Sequence, residues 1–188
     1  MTNFPLLTVI TFLPLVGAVL VQLLGRGRLA RWIALATTLV TLAVSIPLYV
    51  GFDKGSSGLQ FVESANWIPA WNIAYKMGVD GISLPFIFLT AILTILCVGV
   101  SWTAIATRER DFYASLLVAE TAMIGLFVAA NLFLFFVFWE LMVIPVFLLI
   151  GIWGGLWGYP ERQARWANVV EKAILQTERQ ARWANLVE

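Results

Sequence analysis

The feature that most constrains this fold is a series of long apolar runs. Residues 112–153 form a stretch of 42 residues with only three strongly polar interruptions, Glu120, Asn131 and Glu140. One helix of that length would measure about 63 Å, about twice the thickness of the hydrocarbon core of a bilayer. Two helices, 112–130 and 132–153, fit instead, with a turn at Asn131, because asparagine tolerates turn conformations.

Three earlier runs have the same character. They are 4–24, 30–51 and 82–106, and each is long enough for the roughly 20 apolar residues that cross a bilayer as a helix. The runs are continuously apolar rather than alternating, which favours helices over strands. The N-terminus lacks a positive segment and a cleavage pattern, so we expect 4–24 to be a first span rather than a signal peptide. The sequence therefore predicts an all-α, polytopic membrane protein with about five transmembrane helices.

Charge divides the chain into two parts. The 188 residues include 23 charged side chains, and nine of them lie in the last 31 residues. We therefore predict a five-span membrane domain, 1–157, and a polar tail, 158–188, that is amphipathic or disordered. The tail repeats the sequence ERQARWAN at 161–168 and 178–185. The formal net charge is only +1, so nothing suggests a nucleic-acid partner.

The connections predict the orientation in the membrane. Residues 25–31, residues 107–111 and the tail are rich in arginine, and with five spans all three lie on one side. Because positive residues favour the cytoplasmic side, we expect the N-terminus to lie outside, in the periplasm of a Gram-negative cell, and the tail to be cytoplasmic. The opposite side carries the segment 52–81, which we predict to be a loop. Asp80 or Ser83 is expected to cap the third span.

Missing residue types exclude several kinds of chemistry. The chain has no histidine and one cysteine, Cys97. Histidine-based catalysis, zinc clusters, intrachain disulfides and cysteine-ligated iron–sulfur centres are therefore excluded. No phosphate-binding loop or dinucleotide motif is present. We expect no cofactor and no metal ion to be bound by this chain, and Cys97 to be a small buried apolar side chain.

Two carboxyl groups stand out because they are the only acidic residues in the spans. Glu140 lies nine residues after Asn131, about 13–14 Å along the helix, and Glu120 lies 11 residues before it, about 16–17 Å. Both depths are near the middle of a core about 30 Å thick, where a charge costs about 2.5–3.5 kcal/mol on insertion scales. Each is either a proton relay or a neutral side chain that joins helices by a hydrogen bond. The hydroxyls of Thr90, Thr94 and Ser101 are expected to serve packing and helix–helix hydrogen bonds.

The surroundings of Glu140 favour the relay. Its helical neighbours are all apolar: Phe136, Val137, Val143 and Ile144. An isolated carboxyl in such surroundings favours its neutral form, and a nearby cation or water would let it exchange its proton. Pro145 leaves the Leu141 carbonyl without its helical donor, which offers a binding point for water or a partner helix.

Several short segments together resemble a known family. They are Phe4–Leu7 with Phe12–Pro14, Gly78–Pro85, Phe112–Tyr113, Glu120–Gly125, Phe138–Pro145 and Gly151–Gly155. In order and spacing, residues 1–155 resemble subunit M of bacterial NADH-quinone oxidoreductase, respiratory complex I. The resemblance implies an antiporter-like subunit of the membrane arm, which translocates protons while quinone is reduced elsewhere in the electron transport chain.

The resemblance also implies roles for residues and partners. Glu140 matches a fifth-span glutamate that is central to proton translocation, and Glu120 matches a fourth-span glutamate with a supporting role. Other membrane-arm subunits and the lipid bilayer are the implied partners. NADH, flavin, iron–sulfur clusters and quinone are implied in partner subunits, not in this chain.

The chain departs from the family after residue 155. The family's fifth-span glutamate pairs with a lysine in a seventh span, whereas the lysines here are Lys54, Lys76 and Lys172, none of them in a predicted span. We therefore expect a subunit M sequence truncated after the fifth span. The alternatives are a non-catalytic assembly fragment or gene remnant, or a subunit of a related cation/proton antiporter or membrane-bound hydrogenase complex.

Overall fold

Five long helices dominate the structure. The computed structural model describes residues 5–154 apart from residues 26, 57 and 72. The helices are α1 (Leu6–Leu24), α2 (Arg28–Val50), α3 (Ser83–Ala104), α4 (Glu109–Val128) and α5 (Leu132–Leu148), with a π-helical segment at Leu149–Trp153. In the described part of the chain, five helices are long and apolar enough to cross a membrane. The prediction of a multi-pass membrane protein with about five spans is confirmed.

Local capping explains where the helices begin. Asn131 has extended backbone angles, and its Oδ1 accepts a hydrogen bond of 2.8 Å from the N–H of Leu134, so the predicted turn is also the N-cap of α5. Helix α4 begins at Glu109, three residues earlier than predicted. Acidic residues at Glu109 and Asp111 stabilise this first turn through the positive end of the helix dipole.

The segment predicted as a loop contains a β-hairpin. Strands β1 (Gln60–Ile68) and β2 (Ile73–Val79) pair antiparallel and are joined by a 3-10 turn, Pro69–Trp71. The register shifts twice along β1. These irregularities remove the strict alternation by which a strand is recognised in a sequence, so the loop prediction was wrong here.

Helix α4 lies at the centre of the bundle. It packs against α1, α2, α3 and α5, and α5 packs mainly against α4. In their most apolar stretches, 61% of the residues of α4 are buried, against 17% for α5 together with its π-helical segment. Helix α5 is therefore an edge helix with a large uncovered surface among the described residues.

The core consists of two apolar clusters. The hairpin-end cluster comprises Leu7, Ile10, Leu48, Met77, Val79, Leu84, Ile87, Ile124, Val128, Leu134 and Phe138. The arginine-end cluster comprises Ala18, Val21, Ala30, Ala34, Val98, Tyr113, Ala114 and Leu117. Both combine residues of α1, α2, α3 and α4, so these four helices share one interior.

Polar contacts fix the two ends of the bundle. At the arginine end, Nη2 and Nε of Arg31 donate to the Glu109 carboxylate at 2.5 and 2.9 Å, and Nη2 also donates to the Ile105 carbonyl at 3.3 Å. At the hairpin end, the Nδ2 of Asn131 donates to the Ala74 carbonyl at 2.5 Å. The connections around residues 25–31 and 107–111 thus lie at one end, as predicted.

The hairpin also caps α1. The Glu63 carboxylate accepts hydrogen bonds from the N–H groups of Leu7 and Thr8 at 2.6 and 3.0 Å, and from the Thr8 hydroxyl at 2.6 Å. The first turn of a helix has N–H groups without helical partners, and a carboxylate satisfies them well. The hairpin therefore holds the start of α1 with a side chain that is more than 50 residues away in sequence.

Cys97 is exposed on α3 rather than buried, because it lies at the edge of the packed side, about 80–100° around the helix from the buried Ile87 and Val98. The polar tail 158–188, its repeat and the last matching segment beyond Gly154 lie outside the described residues.

Candidate functional site

Glu120 lies in the middle of α4 and is completely buried. Its relative exposure is 0%, and neither carboxyl oxygen has a hydrogen-bond partner among the described residues. The hydroxyls of Thr121 and Tyr113 on the same helix are also buried without such a partner. Most buried polar groups in proteins are hydrogen-bonded, so three unpartnered groups on one helix mark a candidate site.

The direction of the Glu120 side chain follows from its neighbours on the helix. Leu117 and Ile124 lie three residues before and four residues after it, on the same face. Leu117 belongs to the arginine-end cluster and Ile124 to the hairpin-end cluster. Glu120 therefore lies inside the bundle, between the two apolar clusters.

Glu140 has the opposite environment. It is exposed on α5, and the neighbouring side chains of Phe136, Val143 and Ile144 are exposed as well. The predicted apolar surroundings are present, but they form an outer surface rather than a core. The buried side of α5 is marked by Phe138, whose ring rests directly on Gly125 of α4.

The two carboxyl groups do not face each other. At 100° per residue, Glu140 is about 200° around α5 from Phe138, and Glu120 is about 140° around α4 from Gly125. Because Phe138 and Gly125 mark the contact between the two helices, both carboxyl groups point away from it. The structure thus places the two predicted relay residues on adjacent helices but does not bring them together.

Buried hydroxyls also lie on α2 and α3, which both pack against α4. They belong to Thr38, Thr41 and Ser45 of α2 and to Thr90, Thr94 and Ser101 of α3. Thr90 and Thr94 donate to carbonyls of α3 itself, at 2.8 and 2.9 Å, rather than to another helix as expected. The hydroxyls of α2 were missed in the sequence, although the spacing of Thr38, Thr41 and Ser45 places them on one helix face.

No metal site is evident in the described part of the chain. It contains no group of three or more histidine, cysteine, aspartate or glutamate side chains that could hold a metal ion. What the two carboxyl groups can do is bind and release protons, provided that water or a charged partner reaches them.

Comparison with known proteins identifies curated homologues over most of the chain. It is 46% identical over 156 residues to NADH-quinone oxidoreductase subunit M of Rhodobacter capsulatus, a match that covers 80% of this chain. Over this stretch, the chain is a homologue of subunit M. The resemblance of its short segments is thereby confirmed. The match covers 30% of the relative, so the chain spans about a third of the length of a curated subunit M. No family model matches the chain.

Solved structures agree on the fold. A chain of respiratory complex I from Thermus thermophilus with bound NADH matches with a TM-score of 0.66 at 24% identity, over 78% of this chain and 29% of that chain. A chain of the Mrp complex from Dietzia sp. DQ12-45-1b matches with a TM-score of 0.65 at 21% identity, over 78% of this chain and 16% of that chain. The fold of this chain therefore occurs in more than one kind of membrane complex.

Proposed function

We propose that this chain is part of a proton-translocating membrane-arm subunit of NADH-quinone oxidoreductase, with Glu140 and Glu120 as proton relays. The observation that carries the proposal is the carboxyl group of Glu140, exposed in the middle of an otherwise apolar α5. The similarity to a subunit M supports the assignment to an NADH-quinone oxidoreductase. The whole complex would couple NADH oxidation and quinone reduction to proton transfer.

The position of Glu140 requires a partner. A carboxylate facing lipid costs about 2.5–3.5 kcal/mol on insertion scales, so the exposed face of α5 is better covered by a polar or charged helix. Lys54 and Lys76 lie in the loop after α2 and in β2, outside the helices. The family resemblance implies a lysine in a seventh span, which would belong to the part of subunit M that the present chain does not match.

Such a partner gives Glu140 a working cycle. A nearby cation favours the carboxylate, and its withdrawal favours the neutral acid. When a cation approaches Glu140, the side chain therefore releases a proton, and when the cation withdraws, the side chain binds one again. Glu120, buried on the other side of α4, supports the relay by holding a second proton inside the bundle.

Partners and location follow from the same proposal. The bacterial inner membrane would hold the chain with its N-terminus in the periplasm and its tail in the cytoplasm, next to other membrane-arm subunits. NADH, flavin, iron–sulfur clusters and quinone would be bound by partner subunits.

A second candidate is a subunit of a cation/proton antiporter or a related membrane complex. The observation in its favour is the fold shared with the Mrp complex. Purification of the tagged chain from its native membranes separates the two candidates. Co-purification of a peripheral arm that oxidises NADH supports complex I, whereas an assembly without it supports the antiporter. A chain that purifies alone supports the assembly fragment.

The relay is tested by Glu140→Gln in the complete membrane complex. We expect loss of most proton pumping, because the amide cannot exchange a proton, while the protein still inserts. The measurement is NADH-driven acidification of inverted vesicles, followed with a pH-sensitive dye. Glu140→Asp keeps a carboxyl group and should retain more pumping than the glutamine variant. Normal pumping by Glu140→Gln would show that Glu140 is not a relay.

A further inference from the structure

A narrow apolar groove lies between α1, α4 and α5, in the half of the bundle near the arginine end. Its volume is about 370 Å³, and the side chains that line it lie within residues 15–23, 114–118 and 144–148. Of the described residues that line it, only Gln22 and Ser115 are polar. The groove therefore suits an apolar occupant.

The width of the groove distinguishes between two apolar occupants, a helix and a hydrocarbon chain. The groove follows α1 from Leu15 to Gln22, a distance of about 10 Å along the helix. Its volume over that length gives an average cross-section of about 35 Å², whereas a helix about 10 Å across needs about 80 Å². A single hydrocarbon chain therefore fits the groove, and a whole helix does not.

A polar cavity lies next to one end of the groove. It has a volume of about 430 Å³ and is lined by Gly27, Ala106 and residues 108–111. Nε2 of Gln22, in the groove, donates a hydrogen bond of 3.2 Å to Asp111, in the polar cavity. Along α4, Arg110 precedes Ala114 of the groove by four residues, so both lie on the same side of the helix. We call the groove and the polar cavity together the two-part site.

The acidic side chains of the polar cavity already have partners. The Glu109 carboxylate accepts two hydrogen bonds from Arg31. The Asp111 carboxylate accepts from Gln22 and lies 3.5 Å from Nε of Arg108. Arg110 is exposed and forms no ion pair within the described part of the chain. Its guanidinium group is therefore left to bind an anion, and a phosphate group matches it through two parallel hydrogen bonds.

We propose that the two-part site binds an anionic phospholipid, with one acyl chain in the groove and the phosphate group at Arg110 and Arg108. The acyl chain of any lipid fits the groove, so the arginines determine which lipid is retained. A headgroup with a net negative charge is attracted to them, whereas the ammonium group of a zwitterionic headgroup is repelled. This inference goes beyond the proposed function and does not depend on the roles of Glu140 and Glu120.

Photo-crosslinking of the full chain in lipid vesicles tests the site. The vesicles consist of phosphatidylcholine with a small fraction of phosphatidylglycerol that carries a diazirine in one acyl chain. Mass spectrometry of peptides measures the label at each position. We expect residues 15–23 and 144–148 to carry several-fold more label than the exposed surface of α3 around Leu89 and Leu96. A phosphatidylcholine probe with the same diazirine chain should show no such preference.

Two arginine variants test the headgroup contact. Arg110→Gln should lower the labelling of the groove by the phosphatidylglycerol probe several-fold, because the unpaired guanidinium group is lost. Arg28→Gln is the matched control: it removes the same charge at the same end of the bundle, but Arg28 lines neither part of the site. It should leave the labelling unchanged.

Two tryptophan variants test the groove itself. Val19→Trp should fill the groove and lower its labelling by both probes. Val40→Trp on α2 is the matched control, since Val19 and Val40 are 51% and 48% exposed and only Val19 lines the groove. Circular dichroism in detergent checks that each variant is folded. Leu23→Trp, at a groove position that is 71% exposed, replaces Val19→Trp if that variant does not fold.

Three results would overturn the inference. They are equal labelling of the groove and the α3 surface, equal effects of Arg110→Gln and Arg28→Gln, and an unchanged signal in the folded groove variant. The phosphatidylglycerol probe is also applied to the complete membrane complex. If the groove is unlabelled there while lipid-facing surfaces are labelled, protein covers the groove and the lipid site is excluded. Normal pumping by Glu140→Gln would overturn the relay but leave the labelling result standing.

Discussion

Gly125 and Phe138 determine how α5 is rotated on α4. A Cβ atom at Gly125 would overlap the Cγ, Cδ1 and Cε1 atoms of the Phe138 ring. Phe138 is only 3% exposed, so its ring has little room to move. Because Glu140 follows Phe138 by two residues on a rigid helix, this glycine contact also sets the direction in which the Glu140 carboxyl points.

Replacing Gly125 with alanine should therefore destabilise the bundle. We expect Gly125→Ala to cost about 1–3 kcal/mol, the usual range for overpacking a core. The matched control is Gly99→Ala in α3, where an added Cβ meets nothing within 4 Å and helix propensity favours alanine by about 1 kcal/mol. Denaturant unfolding in detergent micelles measures both. Phe138→Leu should recover part of the loss, and equal stability of the two alanine variants would contradict the packing argument.

At the residue level, the sequence predicted the two carboxyl groups but not that one is buried and the other exposed. Their identity and depth follow from counting along apolar runs, which needs no knowledge of packing. Their exposure depends on which side of each helix is packed. Helix α5 is apolar on all sides, so its sequence does not distinguish the side of Phe138 from the side of Glu140.

Asp80 joins the hairpin to α3 through a compact cap. Its Oδ1 accepts hydrogen bonds from the N–H groups of Ile82 and Ser83 at 3.0 and 2.7 Å, and Ser83 Oγ accepts from the Asp80 N–H at 2.9 Å. The hydrogen bond from the Ser83 N–H holds the pKa of the Asp80 carboxyl below its ordinary value. The predicted cap of the third span is thus confirmed, with Asp80 and Ser83 both taking part.

This cap predicts a dependence of stability on pH. The folded pKa of Asp80 is lower than the unfolded pKa, about 3.9, so the cap stabilises the fold fully above that value. Its contribution is lost as the pH falls through the folded pKa. We expect Asp80→Asn to be less stable than the parent at neutral pH and to show a smaller loss in acid. Unfolding curves from about pH 7 to pH 3 measure this, with Asp53→Asn in the exposed loop after α2 as the control. If the stability of Asp80→Asn and that of the parent fell equally with decreasing pH, the predicted role of the Asp80 carboxyl would be contradicted.

At the element level, the helix caps could be predicted from the local sequence, whereas the irregular pairing of the hairpin strands could not. Asn131 and Asp80 act within three residues of their own positions, so their types alone indicate a turn and a cap. The hairpin depends on pairing between segments, and the shifts near Glu63 and Asn66 break the alternation of β1. The capping of α1 by Glu63 is also invisible locally, because it joins residues far apart in the chain.

The whole bundle has two chemically different ends. One end holds the Arg31–Glu109 ion pair and the arginine-rich connections, and the other holds the hairpin and the α4–α5 turn. The number of spans alone predicts which connections share an end. The Arg31–Glu109 ion pair confirms this for the connections around 25–31 and 107–111. The charges on the connections then predict that the arginine end faces the cytoplasm.

Cysteine labelling tests that orientation directly. The chain has a single cysteine, so Cys97→Ala gives a background without thiols. Asn66 in the hairpin and Ala106 at the arginine end are both exposed, and each can carry a new cysteine. A maleimide that cannot cross membranes should label Asn66→Cys in intact spheroplasts. It should label Ala106→Cys only after permeabilisation, since inward-facing arginine connections are retained on the cytoplasmic side during insertion. The reverse pattern would invert the proposed orientation and reverse the direction in which Glu140 passes protons. Labelling of both positions from one side would contradict the placement of the two ends across the membrane.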